Sequence, residues 1–158
     1  MQLPAEMLTE LNAELTRERF SNALYLAIAG QFENMNLSGF ADWARKAASE
    51  EAGHAAAFFD YITYRNAPPV LAVVQAAPAL PADVGQLFGA ALKQEQIISE
   101  ALRQLYAKAM NTGDYFTAEF LHSFLKEQVQ SERELTEIVY KVNAYPNEML
   151  LIEQGMSK

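Results

Sequence analysis

Residues 40–61 read FADWARKAASEEAGHAAAFFDY, and the apolar positions of this stretch recur at intervals of three and four. That spacing is typical of one face of an α-helix that packs into a core. The face consists of Phe40, Ala44, Ala47, Glu51, His54, Phe58 and Tyr61. A carboxylate and an imidazole interrupt it near the middle. The pattern predicts a helix that turns both polar side chains inward.

Three further stretches have the same spacing and the same kind of interruption. They cover residues 8–32, 84–109 and 121–142. The first of these faces consists of Leu8, Leu11, Leu15, Glu18, Asn22, Tyr25, Ala29 and Phe32. Glu95 interrupts the second, and Gln128 and Ser131 interrupt the third. Because an unpaired buried charge costs several kcal/mol, three inward carboxylates need a compensating charge, and divalent metal ions are the simplest candidates.

Helix-breaking sequences separate the four stretches and define the expected elements. The predicted helices cover about 4–33, 38–65, 82–110 and 114–142, with a short fifth helix over 146–155, in a single domain of residues 1–158. Pro4 suits the first turn of a helix, and Ser38 and Asp114 are expected N-caps. Gly113 suits the turn that ends the third helix. The sequence therefore predicts an all-α chain.

The links between the helices indicate how they are connected. Short links join the first helix to the second and the third to the fourth, so each pair is expected to be antiparallel. Residues 66–83 hold four prolines, too many for a helix, and are long enough to run along the whole bundle. We therefore expect an antiparallel four-helix bundle with one long crossover. Within it, VLAVV (70–74) is either an edge strand that pairs with a second copy or a packed loop.

Composition excludes several classes of function. The 158-residue chain is 51% hydrophobic and has no cysteine, which excludes disulfides, thiolate metal sites and cysteine nucleophiles. Its formal net charge of −8 disfavours a nucleic-acid partner. No apolar stretch is long enough to span a membrane, and the charged N-terminal residues do not resemble a secretion signal. We expect a cytoplasmic protein without nucleic-acid or membrane partners.

Glu51 and His54 form an E-x-x-H pair, whose spacing puts both side chains on one face of a helix. Such a pair is common by chance, but this one lies level with Glu18 and Glu95 in the predicted bundle. Carboxylate and imidazole ligands without sulfur suit Fe(II), Mn(II) or Zn(II). Two divalent ions balance three carboxylates when an oxo or hydroxo group bridges the ions. The residues therefore favour a dinuclear site.

Four motifs resemble those of non-haem ferritins, and the resemblance covers nearly the whole chain. The motifs are ERFSNALY at 18–25, EEAGH at 50–54, KQEQ at 93–96 and EQVQSE at 127–132. The resemblance implies a ferritin-like fold in which Glu18, Glu51 and His54 hold one iron, with Glu51 bridging to the other. It also implies that Glu95 holds the second iron and that Gln128 lies close to it.

The same resemblance implies ferroxidase activity, in which two Fe(II) ions bind and dioxygen takes their electrons. Ferric oxide would then accumulate in a homo-oligomeric cage of twenty-four subunits. Tyr25 resembles the tyrosine that, in this family, hydrogen-bonds near the di-iron site and can supply an electron. A core tyrosine with a satisfied hydroxyl group is the alternative interpretation.

At several positions the sequence departs from related patterns. Ser131 stands where bacterioferritins supply a ligand, so the second iron is expected to be held more weakly. Ala52 stands where their haem-ligating methionine would lie, so no haem is expected. Glu50 and Glu127 match two positions of an accessory third iron site, but Gln130 stands where another carboxylate is expected. A solvated charged face is the other interpretation of Glu50 and Glu127.

Two other functions remain open at this point. One is a storage or iron-binding subunit without fast ferroxidase activity, which fills by nucleation of mineral on its surface. The other is a DNA-protecting mini-ferritin, a group that builds its metal site between subunits. The acidic charge balance and the lack of a basic tail disfavour DNA binding, and the inward carboxylates disfavour the storage-only subunit.

Overall fold

The structure, a computed structural model, describes residues 3–156 and is built of helices connected by irregular segments. The helices are α1 (Ala5–Asn34), α2 (Ser38–Tyr64), α3 (Val84–Asn111), α4 (Tyr115–Ala144) and α5 (Met149–Met156). No β-strand occurs within residues 3–156. The predicted all-α fold, with four long helices and a short fifth one, is confirmed.

The helix ends follow local capping chemistry and differ from the predicted bounds by a few residues. The α3 helix begins at Val84 rather than at 82, because the Asp83 carboxylate accepts a hydrogen bond from the Gln86 backbone N–H at 2.7 Å and acts as N-cap. Asp114 caps α4 as predicted. Between α3 and α4, Gly113 has a φ of +72°, a left-handed conformation that favours glycine.

The start of α2 is capped by another helix, so the prediction that Ser38 is the N-cap is wrong. Ser38 is the first helical residue, and Leu37 before it offers no side-chain cap. Instead, Glu153 Oε2 on α5 accepts hydrogen bonds from the backbone N–H groups of Gly39 at 3.1 Å and Phe40 at 3.3 Å. A Cβ atom at Gly39 would lie 2.5 Å from Glu153 Cγ, so glycine allows this close approach.

The crossover segment, residues 65–83, runs along the outside of α1 and joins the hairpin of α1 and α2 to the hairpin of α3 and α4. Three hydrogen bonds attach it: Val70 N–H to Asn12 Oδ1 (2.6 Å), Arg19 Nη1 to Ala72 O (2.7 Å) and Gln31 Nε2 to Leu80 O (3.1 Å). Because its attachment points advance from the beginning of α1 to the end, the segment spans the bundle as predicted. Residues 70–74 are irregular within this single chain.

The four long helices are not packed equally tightly. In the antiparallel pair of α1 and α3, Lys108 Nζ lies 2.9 Å from Glu10 Oε1 at one end, and Gln94 Nε2 donates to Ser21 Oγ at 2.9 Å near the middle. In contrast, no Cα atom of α2 comes within 8 Å of a Cα atom of α4. A cleft of about 690 Å³ lies between α2 and α4. The interior of the bundle is therefore reached from the α2–α4 side.

The apolar core consists of two clusters with a polar layer between them. One cluster includes Phe32, Phe40 and Phe88, and the other includes Leu11 and Phe58. The buried polar side chains of the layer are Glu14, Glu18, Ser21, Glu51, Gln94, Glu95 and Gln128. Each fully buried phenylalanine contributes about 1.5–3 kcal/mol to the free energy of folding, so the clusters stabilise the bundle on both sides of the layer.

No helix in residues 3–156 combines the length and apolar character of a membrane span.

A second polar cluster joins the end of α2 to the start of α4. Arg65 Nη1 lies 3.0 Å from Asp114 Oδ1 and also bonds Tyr61 Oη, and Asp114 Oδ2 accepts a hydrogen bond from Thr117 Oγ1 at 2.7 Å. Burial raises the pKa of Asp114, but the hydrogen bonds of Thr117 and Arg65 outweigh it and lower the pKa below its usual value. Asp114 therefore stabilises the folded chain in its ionised form.

We expect Asp114→Asn to lower the free energy of unfolding by about 1–2 kcal/mol at pH 7, since it removes the charge paired with Arg65 and keeps an N-cap oxygen. Because the folded-state pKa is the lower one, the contribution is complete above about pH 4 and is lost as the pH falls through the folded pKa. Urea unfolding of both proteins between pH 3 and 7 checks this. If the free energies of unfolding of the two proteins differ by the same amount at every pH, the prediction is wrong.

Candidate metal centre

Glu18, Glu51 and His54 meet at the centre of the polar layer. Each offers one ligand atom, and these atoms lie within 4.8 Å of one another. His54 Nδ1 is 3.7 Å from both Glu18 Oε2 and Glu51 Oε1. Glu51 and His54 share a face of α2 because they are three residues apart, and Glu18 faces them from α1. Two carboxylates and an imidazole nitrogen form a donor set suited to a divalent transition-metal ion.

Glu18 gives the most direct indication that this group of residues can bind a cation. The residue has no exposed surface, and neither Oε1 nor Oε2 has a hydrogen-bond partner among the described residues. Burial raises its pKa well above the usual value, because the ionised form is poorly solvated there. A buried carboxylate without donors is costly unless a cation or a proton compensates it. A metal ion bound between Glu18, Glu51 and His54 fits this requirement.

His54 is oriented by contacts on the side away from the two carboxylates. Its Nε2 lies 2.9 Å from Glu127 Oε2, and its ring meets Phe124 edge-on with ring centroids 5.3 Å apart. Burial lowers the pKa of His54, but Glu18 and Glu51 outweigh it and raise the pKa to about 11. The imidazole is thus protonated at neutral pH without metal, and a cation that binds Nδ1 has to displace a proton.

Glu95 and Gln128 complete the layer from the second hairpin. Tyr25, on α1, contacts Glu95. Tyr25 Oη donates a hydrogen bond to Glu95 Oε1 at 2.5 Å, and Gln128 Nε2 donates to Glu95 Oε2 at 2.9 Å. Burial and the charge of Glu51 raise the pKa of Glu95. Burial and the charge of Glu95 raise the pKa of Tyr25, so the phenol keeps its proton. Glu95 is therefore held by donors on both oxygens, unlike Glu18.

The other predicted site residues lie along the cleft between α2 and α4. Glu50, Glu127, Gln130 and Ser131 all line it, as does Trp43. Glu50 is exposed, and Glu127 is bonded to His54, which gives it a positioning contact in addition to its predicted accessory role. An accessory iron site at Glu50 and Glu127 stays a prediction.

The predicted inward face of α1 is partly wrong. Asn22 is only half-buried, and its Nδ2 donates a hydrogen bond to the Ala48 carbonyl of α2 at 2.7 Å. Leu8 is half-buried as well. Compared with the predicted orientation, the helix is rotated about its axis, so that Met7 and Ser21 are buried instead of Leu8 and Asn22. Glu18 is in the core as predicted, because it belongs both to the predicted face and to the face that is buried.

Sequence reasoning missed one buried carboxylate of the polar layer, Glu14. Its side chain has no exposed surface, and Arg17 Nη1 lies 2.7 Å from its Oε2. Burial raises the pKa of Glu14 to about 7 against the opposing effect of Arg17. The signal was present in the sequence, because Glu14 follows Leu11 by three residues and precedes Glu18 by four. Those intervals place it on the same helical face as Glu18.

Comparison with known proteins agrees with this geometry. Residues 8–144 match the family described as the ferritin-like domain. The chain belongs to the ferritin-like family. The resemblance seen in the sequence is therefore confirmed, and the matched region includes every residue of the central polar layer.

Curated relatives of this ferritin-like chain are named bacterial non-haem ferritins. The protein of Bacteroides fragilis (strain 638R) is 33% identical over 135 residues, covering 84% of this chain and 83% of its own length. The protein of Escherichia coli O157:H7 is 30% identical over 141 residues, covering 89% and 86%.

Solved structures show the same fold. An open pore ferritin from the hyperthermophilic archaeon Archaeoglobus fulgidus superposes with a TM-score of 0.94 at 27% identity, covering 98% of this chain and 96% of that one. An engineered closed form of the same ferritin gives a TM-score of 0.93 at 28% identity, covering 99% and 97%. These similarities confirm the ferritin four-helix bundle with its short C-terminal helix.

Proposed function

We propose that this protein takes up Fe(II), oxidises it to Fe(III) with dioxygen at the central polar layer, and stores the product as ferric oxide. Membership of the ferritin-like family supports iron storage. The observation that carries the oxidation step is the buried Glu18 carboxylate, which faces Glu51 and His54 and has no hydrogen-bond partner within residues 3–156. Two Fe(II) ions each give one electron to dioxygen, so the site has to hold two ions close together.

In this proposal the ligands divide between the two hairpins. Glu18 and His54 hold one Fe(II), Glu51 bridges, and Glu95 holds the other. Gln128 positions Glu95 through its amide N–H and leaves its carbonyl oxygen free to orient a water molecule. All these ligands are oxygen or imidazole nitrogen donors, which suit Fe(II). We expect no haem, because Ala52 cannot ligate its iron.

Tyr25 is the residue that we propose takes part in the redox step. Its hydroxyl group donates to Glu95 at 2.5 Å, and its ring packs edge-on against Trp43 with centroids 5.9 Å apart. A buried phenol that shares its proton with a carboxylate ligand can give up an electron and pass the proton to Glu95. This supports the role implied by the family resemblance, in which the tyrosine supplies an electron.

Self-association into a cage is a further part of the proposal. The crossover segment exposes Val70, Leu71 and Val73, which are 55%, 62% and 93% accessible in the single chain. Adjacent exposed apolar side chains are typical of a surface that is covered by another subunit. We therefore propose a homo-oligomer, with twenty-four subunits as the family resemblance implies. A monomer mass measured by light scattering would contradict this part.

Rapid mixing of anaerobically Fe(II)-loaded protein with dioxygen tests the oxidation step. We expect a fast phase of oxidation whose amplitude saturates at about two Fe(II) per chain, since the ligands described provide for two ions. Absorbance of the Fe(III) product, measured against the iron added per chain, gives the saturation point. A slow reaction without saturation would contradict a working dinuclear site.

A storage subunit without fast oxidation is the second candidate, and one observation favours it. The inward pair on α4 is Gln128 and Ser131, so the second ion has Glu51 and Glu95 as its only carboxylates from the predicted set. If the second ion binds too weakly, electron pairs cannot be delivered to dioxygen rapidly. The rapid-mixing experiment separates the two candidates, because storage alone predicts no saturable fast phase.

A further inference from the structure

Glu14 is a buried carboxylate that the proposed iron ligands do not include. It lies on α1 one turn before Glu18, on the same buried face of the helix. Arg17 Nη1 lies 2.7 Å from its Oε2, but its Oε1 has no hydrogen-bond partner in the part of the chain that the structure describes. One oxygen of Glu14 is therefore compensated and the other is not.

Between residues 3 and 156, Glu14 and Glu18 are the only buried side chains with an oxygen or nitrogen atom that has no hydrogen-bond partner. The unpartnered buried side-chain oxygens and nitrogens in that range are Glu14 Oε1, Glu18 Oε1 and Glu18 Oε2. The two carboxylates interact electrostatically with each other and with Glu51. Arg17 supplies a single positive charge to this group from the α1 side. Three buried oxygens, spread over one helical turn, thus have no hydrogen-bond partner within residues 3–156, and His54 Nδ1, 3.7 Å from Glu18 Oε2, approaches from the other side.

Arg17 also connects this carboxylate pair to the surface. Its side chain is 38% exposed and lines a cleft of about 200 Å³ between α1 and α3, together with Gln104 and Lys108. This cleft shares no lining residue with the cleft between α2 and α4. A cation that replaced the guanidinium group beside Glu14 would therefore be close both to solvent and to Glu18.

We propose that Glu14 and Glu18 bind a divalent metal cation at a position next to the central site, and that Arg17 weakens this position by competing for Glu14. The inference rests on the proposed function, because Glu18 is also a ligand there. Carboxylate oxygens bind Fe(II) and Zn(II) readily. The position is weaker than the central one, which suits an ion in transit towards Glu51 and His54 better than a permanently bound one.

Calorimetric titration of the metal-free protein with Zn(II), which is redox-inert, tests the proposal. Glu14→Gln keeps the shape of the side chain and should reduce the stoichiometry by one Zn(II) per chain. Arg17→Gln removes the competing charge and should tighten the weakest site about tenfold. Asp60→Asn, an exposed residue of α2 that lines neither cleft, is the matched control and should leave both quantities unchanged. Anomalous diffraction from Zn(II)-soaked crystals should show a peak contacting Glu14.

Two results would overturn the proposal. If Glu14→Gln binds as many Zn(II) ions as the wild-type protein, or if no anomalous peak contacts Glu14, the two carboxylates share a proton instead of a metal ion. The proposed function would survive either result, because the central peak between Glu18, Glu51 and His54 would remain. A wild-type protein that binds no Zn(II) at all would overturn both.

Discussion

Glu51→Gln is expected to slow the fast phase of Fe(II) oxidation by about 100-fold or more, since loss of even an outer-shell partner of a metal ligand typically costs 10–100-fold. Glutamine has nearly the shape of glutamate but lacks its charge and one of its ligand oxygens. Glu51 is the one carboxylate that the proposal places between both ions, so its loss affects both. Rapid mixing under the same iron loading as for the wild-type protein measures the effect.

Asp60→Asn is the matched control for this experiment. Asp60 lies on the same helix, nine residues later, but it is exposed and outside the polar layer. Its replacement should leave the fast phase unchanged, which shows that the loss of one negative charge on α2 is not enough to slow oxidation. If Glu51→Gln also reacts at the wild-type rate, the central layer is not the site of oxidation, and the storage-only function is favoured.

Glu18→Met is expected to have opposite effects on the metal-free and metal-loaded proteins. Methionine fills the same unbranched space, and Glu51 remains 3.7 Å from His54 as its counter-charge, so removal of the surplus carboxylate should make the metal-free variant more stable than the wild type by about 2 kcal/mol. For a chain of this size that corresponds to a rise in melting temperature of about 4–8 °C. The wild-type protein, in contrast, should gain about 2.7 kcal/mol when Zn(II) is present at 100 times its dissociation constant, and the variant should lose most of that gain.

Thermal unfolding with chelator and with saturating Zn(II) measures both effects in one series. Glu137→Met, on the exposed face of α4, is the control and should change neither value by more than about 0.5 kcal/mol. A metal-free Glu18→Met protein that is less stable than the wild type would show that His54 already compensates Glu18 fully without metal. A wild-type melting temperature that does not change with Zn(II) would count against a central metal site.

The inward face of α3 could be predicted from the sequence because apolar spacing indicates which side of a helix is buried. On α3, the positions that recur at intervals of three and four from Val84 to Ala109 are all buried, and Glu95 is among them. Glu18 and Glu51 are buried as predicted as well. Asp114 could be predicted as a cap because an N-cap side chain bonds a backbone N–H of its own helix, only a few residues away. In each case the information lies within a few residues of the sequence.

The features that the sequence did not predict depend on contacts between distant residues. Nothing in the sequence near Ser38 indicates that Glu153, more than a hundred residues later, caps α2. The bond between His54 and Glu127 depends on the separation of α2 from α4, which periodicity does not determine. On α1, the three-and-four spacing allows two adjacent faces. The predicted one passes through Asn22, whereas the buried one includes Glu14.

The division of the polar layer between two hairpins has a consequence for how the site can evolve. Glu18, Glu51 and His54 all belong to the hairpin of α1 and α2, whereas Glu95 and Gln128 belong to that of α3 and α4. The hairpins meet in the layer chiefly through contacts between α1 and α3. A substitution on α4 therefore alters one half of the donor set and leaves the other intact. In the proposed function, substitutions in the second hairpin can therefore weaken the position held by Glu95 while Glu18 and His54 are kept.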